Sequence, residues 1–256
     1  MLGVHLAASP SRHYGMLLFP WNLPVNASAH GVAFDHHLLL NLWVILALAA
    51  LGHILLLTGL ALRRSSAPRS LLRLEYLPLA AFAILFATLA IQAERLWAAT
   101  RYTGALPTAL QVEVTAMQFA WYFRYPGPDA IFGITRSQLA SAAEANPLGI
   151  DPADPHGNDD IVTSELVLPS DREIDLRLQA QDVIHGFSVP ELRLKQNAIP
   201  GETVHIHFTP STPGTYAILC TQLCGTGHYR MNASLRIVPP DQYVAWVGSK
   251  QKAVQP

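Results

Sequence analysis

CTQLCGTGHYRM, residues 220–231, holds both cysteines of a 256-residue chain, with His228 and Met231 close behind them. In an oxidising compartment such a pair can close a disulfide. With two further N or S donors it can hold structural zinc. Neither reading accounts for the methionine. Soft thiolate and thioether ligands mixed with imidazole select copper, and Cys, His and a weak axial Met on a β-barrel form a mononuclear blue-copper site. One cysteine is surplus to that pattern. Two thiolates at C-x3-C can instead bridge a pair of copper ions, each of which needs a terminal imidazole. His228 supplies one. The candidate for the other is His185 in DVIHGFSVPELRLKQNAIPG (182–201), expected where a strand runs into a turn. The Gln222 backbone carbonyl can be a weak ligand to one ion, and Met231 to the other.

The segments around this loop alternate in polarity. QVEVTA (111–116) and FAWYFRY (119–125) read as strands. EIDLRLQA places Ile174, Leu176 and Leu178 on one face. TVHIHF turns Val204, Ile206 and Phe208 inward, GTYAILC does the same with Tyr216 and Ile218, and ASLRIV closes the series. Pro-Gly pairs at 126–127, 200–201 and 213–214 separate them. Many short strands with such turns and no long helix predict a Greek-key barrel or sandwich. The stretch 126–160 is the one long insertion, expected to be irregular apart from a helical piece near SQLASAAEA (137–145).

The first hundred residues are different. Leu38–Leu62 is apolar except for Asn41, Gly52, His53, Thr58 and Gly59, and Leu77–Ala93 except for Thr88 and Gln92. At ~1.5 Å per residue each can cross a ~30 Å hydrocarbon core, the second with help from its flanks. Both are apolar on every face, which excludes the one-stripe pattern of a soluble hairpin. The connector RRSSAPRSLLR (63–73) carries four arginines and no acid, and such short loops stay in the cytoplasm. Both termini are therefore expected on the periplasmic side of a bacterial inner membrane. The first thirty residues lack the pattern of a cleaved signal. The expected organisation is an outer segment 1–35, a transmembrane hairpin 36–101 and an extracytoplasmic domain 102–256.

Charge follows this division. Residues 102–256 carry 15 acids against 10 Lys and Arg, and residues 1–101 carry 3 against 7. Six of the acids (Asp129, Glu144, Asp151, Asp154, Asp159, Asp160) lie in the insertion with a single Arg136. Most of them read as a solvated loop, although a single-sign field can also steer a basic partner. No nucleic-acid partner is expected.

Taken together, DVIHGFSVP…LKQNAIPG, then C-x3-C-x3-H-x2-M, behind a two-helix hairpin, resembles subunit II of the haem-copper cytochrome c oxidases. The resemblance runs from the first helix to the last strand. It implies a cupredoxin-like Greek-key barrel holding a binuclear mixed-valence copper centre, CuA, on His185, Cys220, Gln222 (carbonyl), Cys224, His228 and Met231. It further implies that electrons arrive from cytochrome c or a small copper protein and leave for haem in subunit I, with no oxygen chemistry on this chain. A nitric oxide reductase of the same superfamily is the alternative assembly. A membrane-tethered copper carrier is the alternative from another class, and a nitrous oxide reductase domain would lack the hairpin.

The resemblance also marks departures. AMQFAWYFRY (116–125) is similar to the family's Q-W-Y-W-x-Y, whose first tryptophan is regarded as the point where electrons enter. Here that position is Phe119, with Trp121 kept at the second, so either ring can serve and core packing competes for both. Gln222 stands where many members have a glutamate that helps bind magnesium, and Asn197 where an aspartate is common. Hard Mg²⁺ depends on carboxylates, so magnesium is not expected. Glu75 resembles the mouth of a proton path, against a reading as a snorkelling interfacial residue. His205 and His207 read as solvated strand residues, and His36 and His37 as interfacial ones. His53 is an intramembrane ionisable group, for which packing against a neighbouring helix competes with function. No C-x2-C-H occurs, so no c-type haem is expected on the chain.

Overall fold

The computed structural model describes residues 23–62, 72–141 and 143–254. Helices α1 (Gly31–Leu62) and α2 (Leu72–Arg101) come first. Both are long and apolar enough to cross a membrane, the second over Tyr76–Arg101. At ~1.5 Å per residue, that second stretch of 26 residues is about 39 Å long. Their apolar side chains face outward; Leu56 is 69% exposed and Phe86 74%. Such an array is tolerable in lipid and not in water. Arginines 63, 64 and 69 of the connector and the side chain of Glu75 lie outside the described residues.

Among the described residues, ten strands follow in two five-stranded sheets. The first sheet is ordered β3 (Ile161–Thr163), β2 (Ala120–Tyr125), β1 (Leu110–Met117), β5 (Ile174–Ala180), β8 (Val204–Phe208). The second is ordered β4 (Glu165–Pro169), β10 (Asn232–Val238), β9 (Gly214–Cys220), β6 (His185–Val189), β7 (Leu194–Ala198). Pairing is antiparallel except for β1 with β5 and β10 with β4. The expected barrel or sandwich is thus a two-sheet sandwich. The period-2 pattern sets its core: Val112, Val114, Phe123, Ile174, Leu176 and Leu178 face Leu166, Leu168, Phe187, Ile218 and Leu235. Ile206 and Phe208 are buried as expected, whereas Val204 and Tyr216 are half-buried.

Tyr125 staples the two sheets together. Its hydroxyl donates to the Val167 carbonyl at 2.9 Å and accepts from the Val167 N–H at 2.7 Å. β4 is an edge strand bonded only to β10, and Tyr125 satisfies the backbone of its free side.

Three features depart from expectation. A fifteen-residue helix, α3 (Pro240–Val254), follows the last strand and sets Trp246 against Tyr125 at 5.0 Å between ring centroids. β2 begins at Ala120, and Met117 pairs Ala120 across a two-residue turn, which puts Phe119 at a hairpin tip. The helical piece in the insertion shrinks to one 3-10 turn at Ser137–Leu139.

The insertion covers the outer face of the first sheet. There Arg124 is buried, donating to the Gly133 carbonyl at 3.0 Å and lying 2.9 Å from Glu113 and 3.5 Å from Asp160. The Arg124 and Arg177 guanidinium groups both lie over the Phe132 ring, at 4.9 and 5.4 Å from its centroid. The chain before α1 and the first turns of that helix are tied to the same domain. Ala27 donates to the Glu191 carbonyl at 2.8 Å, and Arg193 pairs Asp35 at 2.7 Å.

Candidate metal centre

Both ends of the site lie in one sheet. β6 pairs β9 through Phe187–Cys220 and Ser188–Leu219, and the ladder continues as the Thr221 N–H donates to the Gly186 carbonyl at 2.9 Å. A Cβ at Gly186 would stand 2.5 Å from Thr221 Oγ1 and 2.8 Å from Gln222 N, so the cysteine loop closes only over glycine. This pairing places His185, the first residue of β6, beside a loop that begins thirty-five positions later. Its expected place at the end of a strand is corrected: a turn runs into β6 there, and the imidazole enters from the rim of the sandwich.

The candidate ligands converge. Cys220 Sγ and Cys224 Sγ are 3.8 Å apart, well beyond the ~2.05 Å of a disulfide, and both are free thiols. His185 Nδ1 lies 3.1 Å from Met231 Sδ, which is 3.8 Å from Cys224 Sγ. His228 Nδ1 lies 3.7 Å from Cys224 Sγ, and the Gln222 carbonyl is 3.3 Å from Cys220 Sγ. Donor atoms of His185, Cys220 and Cys224 all fall within 4.8 Å of one another. His185, Cys224 and Met231 are buried, Cys220 and His228 half-buried, and the Gln222 residue exposed.

Burial pushes the Cys224 thiol up to about 11, and the neighbouring Cys220 adds to the shift. Two thiolates this close repel in a low-dielectric pocket, and a cation between them relieves that repulsion. With imidazole and thioether donors beside them, the set suits a soft or borderline metal and offers no carboxylate for a hard one.

Sequence reading passed over two supports. Asp182 Oδ1 lies 2.8 Å from His185 Nε2 and accepts from the Val183 N–H, while Oδ2 accepts from the Gln118 N–H at 2.6 Å. With Nε2 held by a carboxylate, His185 presents Nδ1 to the sulfur atoms. Gln118 Nε2 donates to the Cys224 carbonyl at 2.5 Å, joining the β1–β2 turn to the cysteine loop. The D-x-x-H spacing was visible in the sequence, but only the loop fold shows that it matters.

The two aromatic candidates part company. Trp121 is 2% exposed and packs edge-on against His185 at 6.0 Å and Phe187 at 5.4 Å. Phe119 is half-buried, lies over Gly225 and Gly227 of the loop, and has Arg230 stacked on it at 5.8 Å. A Cβ at Gly227 would run into the Phe119 ring. His205 lies away from this centre and bonds Asp175 at 3.0 Å, while His207 meets Thr103 and the Ala99 carbonyl at 3.4 Å. His53 bonds the Ala49 carbonyl of its own helix at 2.7 Å.

Comparison with known proteins gives the same domain. Residues 112–238 match the family model for cytochrome c oxidase subunit II, periplasmic domain. The alternative cytochrome c oxidase subunit 2 of Bradyrhizobium diazoefficiens is 37% identical over 141 residues, 54% of this chain and 50% of that protein. Cytochrome c oxidase subunit 2 of Synechocystis sp. is 33% identical over 144 residues, 56% of this chain and 34% of that protein. The match thus spans half or less of the length of either relative. The crystal structure of the periplasmic domain of cytochrome oxidase subunit II from Bradyrhizobium japonicum superposes with a TM-score of 0.43 at 26% identity, covering 59% of this chain and 99% of that one. Through the domain at residues 112–238, this chain belongs to the cytochrome c oxidase subunit II family.

Proposed function

We propose that this chain is the electron-accepting subunit of a respiratory haem-copper oxidase, with His185, Cys220, Gln222, Cys224, His228 and Met231 holding a binuclear copper centre. The observation that carries the reading is the pair of free thiols 3.8 Å apart between two imidazoles, a thioether and a carbonyl. A single copper uses one thiolate and leaves the second without a role. Bound there, a copper pair takes up and releases one electron at a time.

The chain's own residues supply rigidity and access. The β6–β9 ladder, Asp182 and Gln118 hold the ligand side chains in fixed positions, so the ligands need little rearrangement when the charge changes. Burial of His185, Cys224 and Met231 excludes water from the inner side. Protein donors occupy the strong ligand positions, which favours electron transfer over substrate activation. Phe119 is the ring through which electrons enter: it is the accessible one and it touches the loop. Trp121 packs His185 from beneath. The acceptor is haem in subunit I, the donor is cytochrome c or a small copper protein, and magnesium has no carboxylate at residue 222.

Anaerobic reductive titration of the copper-loaded full chain tests this. One electron per two coppers is expected. Two electrons per two coppers would show independent sites and refute the paired centre.

A further inference from the structure

A cavity of about 130 Å³ opens where the hairpin meets the β domain, among His30, Phe34, Trp97, Arg101, Arg193 and Lys195. Arg101 ends α2. Its Nη2 donates to the Lys195 carbonyl at 3.0 Å, and its guanidinium lies over the Trp97 ring at 5.1 Å. Its Nη1 is buried with no hydrogen-bond partner among the described residues. Arg193 on the facing wall is answered by Asp35, but among the described residues no carboxylate pairs with Arg101 or Lys195. Burial, opposed by a hydrogen bond to the Leu192 backbone and reinforced by the Arg101 and Arg193 guanidinium groups, pushes the His30 imidazole below its ordinary value.

The cavity therefore presents uncompensated positive charge and a buried N–H that needs an acceptor. A guanidinium fork matches the oxygens of a phosphate. Its depth is also defined: Arg101 closes the apolar span of α2, and α1 starts at Gly31. Trp97 and Phe34 lie one turn inside those ends, the level at which aromatic side chains meet headgroups. We propose that this cavity binds the phosphate of a membrane phospholipid, with Arg101 as the principal donor, Lys195 as a second charge and Trp97 against the glycerol backbone. The site is independent of the copper reading and rests on the hairpin spanning a membrane. It would hold lipid at the joint between anchor and domain.

Native mass spectrometry of the full chain in detergent, with phosphatidylglycerol or inorganic phosphate added, tests it. The unsubstituted chain should retain one tightly held phosphatidylglycerol, and Arg101→Gln should bind it roughly tenfold more weakly or worse. Arg101→Lys should fall between them. Millimolar inorganic phosphate should not displace the lipid. Equal retention by all three chains would overturn the proposal. Full displacement by inorganic phosphate would make this a free-anion site and would also overturn it. If Arg101→Gln loses its helical circular dichroism, Lys195→Gln carries the test: weaker binding supports the site and unchanged binding counts against it. A crosslink joining Lys195 to a carboxylate of a neighbouring oxidase subunit, with no lipid retained, would assign the cavity to that subunit instead.

Discussion

Replacing Asp182 with alanine should weaken copper binding without unfolding the sandwich. The carboxylate lies 2.8 Å from His185 Nε2 and also takes the N–H groups of Gln118 at 2.6 Å and Val183 at 2.7 Å. Burial pushes this carboxyl up, but the hydrogen bonds from His185, Gln118 and Val183 outweigh it and hold it below the usual carboxylate value. It is therefore charged at neutral pH. A hydrogen bond to a charged partner is worth about 1.5–3 kcal/mol, and each ~1.4 kcal/mol is a factor of ten. Loss of the His185 contact alone should lower copper affinity by about 10- to 100-fold, the usual cost of removing an outer-shell carboxylate. Asp182→Asn keeps an acceptor for His185 Nε2–H without the charge and should fall at the mild end. Competition for copper between the full chain in detergent and a chelator of known affinity measures both. Undiminished affinity in Asp182→Ala would refute the idea that this carboxylate orients His185.

Other substitutions probe other links. Tyr125→Phe leaves the N–H and C=O of Val167 without their partner in the core and should destabilise the domain by about 2–4 kcal/mol in urea unfolding. Burial pushes the Asp160 carboxyl up to about 6, against an ordinary value of 3.8. The folded state thus holds that proton to higher pH than the unfolded state does. The resulting stability is full below the unfolded value and is lost as pH rises through about 6. Relative to the unsubstituted chain, Asp160→Asn should gain stability between pH 4 and pH 7, as read from unfolding midpoints. Met231→Leu should keep copper and shift its potential, because an axial thioether tunes more than it binds. Phe119→Ala should slow reduction by cytochrome c while leaving the copper spectrum unchanged.

The local patterns in the sequence carried much of this structure. Alternation in EIDLRLQA set the buried face of β5, where Ile174, Leu176 and Leu178 are fully buried, and the unbroken apolar runs marked the hairpin. Spacing and family resemblance pick out the candidate ligands, and the fold brings them together. What escaped was non-local or weakly patterned. Asp182 acts through a contact that exists only after β6 and β9 pair. Helix α3 shows only a weak apolar stripe, and Trp246 meets Tyr125 only on the packed sandwich. The division of labour between Phe119 and Trp121 depends on a two-residue turn that shifts the start of β2 by one position.

Electron paramagnetic resonance of the copper-loaded full chain tests the central claim most directly. A paired centre predicts hyperfine coupling shared equally between two copper nuclei, lost in Cys220→Ser and in Cys224→Ser. A signal from one copper nucleus, or a Cys220–Cys224 disulfide that persists through reduction and copper loading, would contradict it.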